Sequence, residues 1–260
     1  MVTVDLITKS LEDAIWKCNY GKIMGNCSFP PMLMSSLNKF YEIKHKNSIE
    51  EAFVLNEKGE IINTYKGTED HVFVFPSSQQ INQLREGHKL HVTHNHPTQD
   101  TDDTTFKNYS NCLSKEDMMG LLSTVDVDGE QVLREMSITA ESSYGARMTL
   151  YNKNPLQYNN HGAFEKAVDN LLKINSDFNK KYFEESTDYY DKHIQDISLR
   201  EVVLPDGSIE TRYEEPVYSN MLKDLHKHQY NYVKNNYYKF IQENVKEFEE
   251  LDCELSIRFL

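Results

Sequence analysis

Leu90-His91-Val92-Thr93-His94-Asn95-His96-Pro97 is the stretch on which the fold turns. Its alternation and β-branched residues read as a strand, and Pro97, which lacks a backbone N–H, ends it. Side chains two apart on a strand share a face, so His94 and His96 point one way and His91 the other. Two imidazoles on one face can converge on a metal ion.

Upstream, the apolar run Ala52-Phe53-Val54-Leu55 meets Asn56-Glu57-Lys58-Gly59 and then Glu60-Ile61-Ile62, the pattern of a hairpin. His71-Val72-Phe73-Val74-Phe75 is a further strand-like run, closed by Pro76. Ser77 can cap a short helix through Ile81 and Leu84 that stops near Gly87. Downstream, residues 98–113 are polar and acidic and read as a loop. Ser114 opens a helix containing Met118, Leu121 and Leu122, and Gln131–Thr139 and Ala146–Tyr151 look like two more strands. Strands with interspersed helices predict an α/β (α+β) fold.

Three stretches follow from this reading. Residues 1–47 form a helical lead-in broken at Phe29-Pro30-Pro31, residues 48–153 carry the strands, and residues 154–260 are mainly helical. In the last stretch Phe164, Val168, Leu171, Phe178 and Tyr182 keep helical spacing. A small hairpin near 200–213 turns on Pro205-Asp206-Gly207. A long helix runs from about Ser219 to Leu251. Its aromatic stripe, Tyr230, Tyr232, Tyr237, Tyr238 and Phe240, reads as helix packing.

The 260 residues are 38% hydrophobic, enough for one sizeable core or two small ones. With 28 Lys and Arg against 41 Asp and Glu, the net charge is −13. That argues against a nucleic-acid partner, since phosphate binding needs a basic footprint. No run approaches the roughly 18 apolar residues of a membrane span, and the first residues lack a secretory pattern. A cytoplasmic protein with no membrane partner is the expectation. Four scattered cysteines, with no Cys-x-x-Cys pair, argue against a disulfide scaffold or a Cys-type zinc site. Of ten histidines, His45, His71, His88, His161 and His193 are isolated, His91 faces away, and His226 and His228 diverge on a helix, which leaves His94 and His96.

Glu50-Glu51, His94-Asn95-His96-Pro97 and Ser114-Lys115-Glu116-Asp117, in that order, resemble the pattern Glu … His-x-His-Pro … Ser-x-x-Asp of the JAMM (MPN-plus) zinc metalloproteases. The bacterial and phage-type branch with its RadC-like members often shows His-Asn-His-Pro. The resemblance covers roughly residues 48–151. It implies a central mixed sheet flanked by helices and a zinc-dependent peptidase or isopeptidase. His94, His96 and Asp117 would hold Zn2+, with water in the fourth position. A strand Glu would be the general base, and Ser114 would donate to the oxyanion. Phage-type members usually read Glu-x-Ala, which places Glu50 in the base role and leaves Glu51 as the alternative. The implied substrate is a polypeptide or ubiquitin-like conjugate, in a bacterial host cell or of phage origin.

Other readings stand beside that one. Ser114-x-x-Asp117 is also the pattern of a helix capping box, and His-x-His also decorates strand surfaces. The domain could serve as a docking module of a structural protein, or in a RadC-like DNA-linked role, which the acidity disfavours. The loop of 16 residues between Pro97 and Ser114 exceeds the family spacing. It is either a substrate-facing insertion or a spacer that carries Asp117 away from the histidines.

Overall fold

The computed structural model describes residues 49–69, 71–96, 113–142, 146–153 and 161–259. The helical lead-in and nearly all of the 98–113 loop lie outside them. The strands β1 (Glu51–Asn56), β2 (Ile61–Lys66), β3 (Leu90–His96), β6 (Ser137–Ser142), β7 (Ala146–Asn152) and β10 (Cys253–Phe259) form one sheet, ordered β10-β7-β6-β3-β1-β2. All neighbours are antiparallel except β3 and β6. A parallel pair requires a crossover. Here the crossover holds the short helix α2 (Lys115–Gly120) and the hairpin β4 (Thr124–Val127) and β5 (Glu130–Leu133). The chain is thus an α+β fold with a mixed sheet flanked by helices.

The expected β1–β2 hairpin forms, with Gly59 at a φ of 78° that L side chains rarely adopt. Helix α1 (Ser78–Arg85) is capped by Ser77, whose side chain and Gln80 form a capping box. Two expectations differ. Residues 71–75 join no ladder; Phe73 stacks on Phe75, and both are exposed. The single strand expected over 131–139 breaks at Arg134-Glu135-Met136 into β5 and β6, which belong to different sheets.

Registered partners share a face of the sheet. Ala52 opposes His94, Val54 opposes Val92, Val92 aligns with Ile138, and Leu150 opposes both Ile138 and Leu255. This face is aliphatic, and its residues join one buried core with the long helices α3 (His161–Ile194) and α4 (Val217–Glu250). The other face carries His91, Thr93, Asn95, Ser137, Thr139 and Thr149, all buried. Thr139 and Thr149 hydroxyls lie 2.9 Å apart in a hydrogen bond, as the burial of polar groups demands.

Helices α3 and α4 each have 34 residues, about 50 Å at 1.5 Å per residue. They pack antiparallel through an aromatic ladder. Phe164 meets Phe248 edge to face at 5.8 Å, and Phe178 meets Tyr237 at 4.9 Å. Between them lies the hairpin β8 (Leu199–Val203) and β9 (Ile209–Tyr213). Strand β10 follows α4 directly and pairs with β7, so the helical stretch ends inside the sheet of the preceding one. Among the described residues no helix is long and apolar enough to cross a membrane.

Candidate metal centre

His94 and His96 lie at the C-terminal end of β3, on the aliphatic face. Their Nε2 atoms are 3.0 Å apart. Asp117 comes from the first turn of α2. Its Oδ2 lies 3.4 Å from His94 Nε2 and 4.0 Å from His96 Nε2. His94, His96 and Asp117 therefore form a group that could hold a metal ion. Whatever course the 98–113 loop takes, it does not carry Asp117 away from the histidines.

Helix α2 is too short to be stable alone, so its placement needs external anchors. Met118 and Leu121 are fully buried in the core. Lys115 Nζ lies 2.7 Å from Asp169 and 3.3 Å from Glu165, both on α3. Ser114 caps the helix: its Oγ accepts the Asp117 N–H at 3.1 Å, and its own N–H donates to Asp117 Oδ2 at 2.8 Å. The capping-box reading of Ser-x-x-Asp is therefore realised. It is compatible with a metal role, because the backbone bond to Oδ2 aims that carboxylate oxygen at the histidines.

Glu50 and Glu51 separate cleanly. The β1–β3 register puts Ala52 opposite His94, so Glu50, two residues earlier, shares the histidine face. Glu51 points to the opposite face, where its carboxylate lies 3.7 Å from Lys66 Nζ. The backbone of Glu50 extends the hairpin ladder: its N–H donates to Thr68 O at 2.6 Å, and its C=O accepts the Gly67 N–H at 2.8 Å. A side chain at Gly67 would collide with the His71 carbonyl, so only glycine permits this close approach.

Two further residues shape the centre, and the sequence reading assigned neither a role. Asn95, between the histidines, is buried on the opposite face. Its Oδ1 accepts the Glu51 N–H at 2.8 Å and its Nδ2 donates to Ile49 O at 3.2 Å. It thus clamps the backbone on both sides of Glu50. Glu135 is fully buried and bonded to Arg134 at 2.9 Å. It lies against Gly120 of α2, where a Cβ would stand 3.1 Å from its Oε1.

The electrostatics follow from this crowding. Burial pushes the His94 pKa down, but the carboxylates of Asp117, Glu50 and Glu135 outweigh it and leave it raised. Burial pushes Asp117 up, and the histidines and the Ser114 N–H reverse this, holding its carboxyl well below the ordinary range. Burial raises Glu135 despite Arg134. The remaining described histidines stand apart from this group; His91 faces away and bonds the Ser137 hydroxyl at 2.8 Å.

No family model matches the chain, and no curated protein or solved structure matches it.

Proposed function

We propose that the chain is a zinc-dependent hydrolase of JAMM type that cleaves a peptide or isopeptide bond. The observation that carries this reading is the triangle of Nε2, Nε2 and Oδ2 at 3.0, 3.4 and 4.0 Å. Tetrahedral zinc with ligand bonds near 2.0–2.1 Å has ligand–ligand edges of about 3.3 Å. The three distances bracket that value, and the donor set, two imidazoles and a carboxylate, is one zinc accepts in catalytic sites. His94, His96 and Asp117 would hold the ion.

Bound there, zinc would act as a Lewis acid and lower the pKa of coordinated water toward about 7. The residues of the chain supply the rest. Glu50, on the same face and 9% exposed, takes a proton from the attacking water on its carboxylate and returns it to the leaving amine. The Ser114 hydroxyl accepts the Asp117 N–H and keeps its own proton to donate to the carbonyl oxygen under attack. Asn95 holds the Glu50 backbone in register with β3. The polypeptide or ubiquitin-like nature of the substrate rests on the sequence resemblance.

The test is hydrolysis of peptide and isopeptide-linked substrates by the full chain. Activity should vanish with a chelator and return on adding zinc. Hydrolysis that persists in metal-free protein would exclude the reading.

A further inference from the structure

The β8–β9 hairpin is distant in sequence from the metal centre and forms its own two-stranded sheet. Four of its apolar side chains are exposed: Leu199 at 60%, Val203 at 69% and Ile209 at 65% on one face, and Val202 at 36% on the other. A two-stranded ribbon with bare apolar residues is marginal in water, and its edges are templates for pairing.

The hydrogen-bond pattern shows which backbone groups face outward. Leu204 N–H bonds Ser208 O, and Glu214 N–H bonds Ser198 O. Bonded pairs alternate along an antiparallel ladder. Residues 200/212 and 202/210 are therefore the inward pairs, and Ile209, Thr211 and Tyr213 present their N–H and C=O groups at the open edge of β9.

We propose that this edge pairs with the same edge of a second copy of the chain, antiparallel, about a two-fold axis through Thr211. The sequence of β9 is self-complementary in this register. Thr211 meets Thr211 of the second copy, and Ile209 meets Tyr213, each as an outward-bonded pair. Glu210 then stands directly opposite Arg212 of the second copy, in the non-bonded pairs where side chains approach most closely. Glu210 and Arg212 already share a face, with Nε 2.9 Å from Oε2. The register of the hairpin extends the match: Val203 pairs with Ile209, and Leu199 with Tyr213. The four-stranded sheet therefore carries continuous apolar rows, Val203–Ile209 of one copy running into Tyr213–Leu199 of the other. The β8 edge lacks this property, because a two-fold through Glu201 sets like charges directly opposite. The paired interface is isologous, as closed dimers require.

Sedimentation velocity on the full chain tests this. Wild type should show a monomer–dimer equilibrium. Thr211→Pro removes an N–H that the hairpin itself does not use, and should leave the fold intact but the chain monomeric. Glu210→Lys alone and Arg212→Glu alone should each weaken the dimer about tenfold or more. A mixture of the two should form a heterodimer, because the two positive side chains of the first variant then face the two negative side chains of the second. The double variant Glu210→Lys/Arg212→Glu should regain the homodimer. Wild type that stays monomeric to about 0.3 mM, a dimer indifferent to Thr211→Pro, or single swaps that do not complement each other would each overturn the proposal.

Discussion

Ser114 and Asp117 hold each other reciprocally, and the Asp117 oxygen that accepts the Ser114 N–H at 2.8 Å is the one that stands 3.4 Å from His94 Nε2. A single carboxylate oxygen thereby caps the start of α2 and faces the histidine pair. The two functions can be parted by substitution. Ser114→Ala removes the acceptor of the Asp117 N–H and should cost about 1 kcal/mol in urea unfolding. Its hydrolysis should fall about 10²–10³-fold while zinc remains bound. Ser114→Asn should restore the cap and the stability but not the activity. Recovery of activity in Ser114→Asn would show that the hydroxyl proton is dispensable.

Glu50 and Glu51 are adjacent, but only Glu50 shares the histidine face. Glu50→Gln should keep zinc and lose hydrolysis by about 10²–10⁴-fold, the range of general-base catalysis. Glu51→Gln should change kcat little. The opposite ranking of the two kcat values would move the base to Glu51.

Asn95 is the clamp on the strand that carries Glu50. Asn95→Ala leaves the buried Glu51 N–H and Ile49 carbonyl without these bonds, at about 1–3 kcal/mol. The histidines do not depend on that side chain for their face, so zinc affinity should hold while kcat drops. Loss of zinc together with kcat in a folded Asn95→Ala protein would show that Asn95 supports the ligands and not the base.

His91 gives the metal-free protein a pH dependence of predictable sign. Burial, opposed by Glu57 and aided by Lys89, pushes its pKa down to about 4 from 6.5. The unfolded chain takes up the proton near 6.5, and the folded chain resists until about 4. The stabilisation is therefore present above 6.5 and is lost as pH falls from 6.5 to 4, at most about 3 kcal/mol. Urea unfolding with chelator present should show this fall in wild type and a shallower one in His91→Gln. Equal slopes would mean that His91 is protonated in the native state near its ordinary pKa.

Much of this architecture was legible locally. The β1–β2 hairpin, the Ser77 cap of α1, the β8–β9 hairpin and the long helix expected from about Ser219 to Leu251, found as Val217–Glu250, rest on turn residues, caps and spacing within a few residues. So do the faces of His91, His94 and His96. Strand β10 carries the alternation of a strand in Glu254-Leu255-Ser256-Ile257, but that pattern does not name its partner. Its pairing with β7 spans about a hundred residues, beyond any local pattern. The run 71–75 has strand propensity but joins no ladder. Asn95 and Glu135 escaped for a related reason. Asn95 acts on residues more than forty positions away, and Glu135 beside Arg134 looks like a solvated pair until burial is known. Ser-x-x-Asp was ambiguous in the sequence because in the fold it both caps α2 and sets Asp117 beside the histidine pair.

Zinc binding by His94, His96 and Asp117 can be measured by elemental analysis of the purified full chain by mass spectrometry. About one zinc is expected per wild-type chain and almost none in His94→Ala/His96→Ala, with both proteins folded by circular dichroism. A folded wild-type chain that remains free of zinc after incubation with the metal would contradict it.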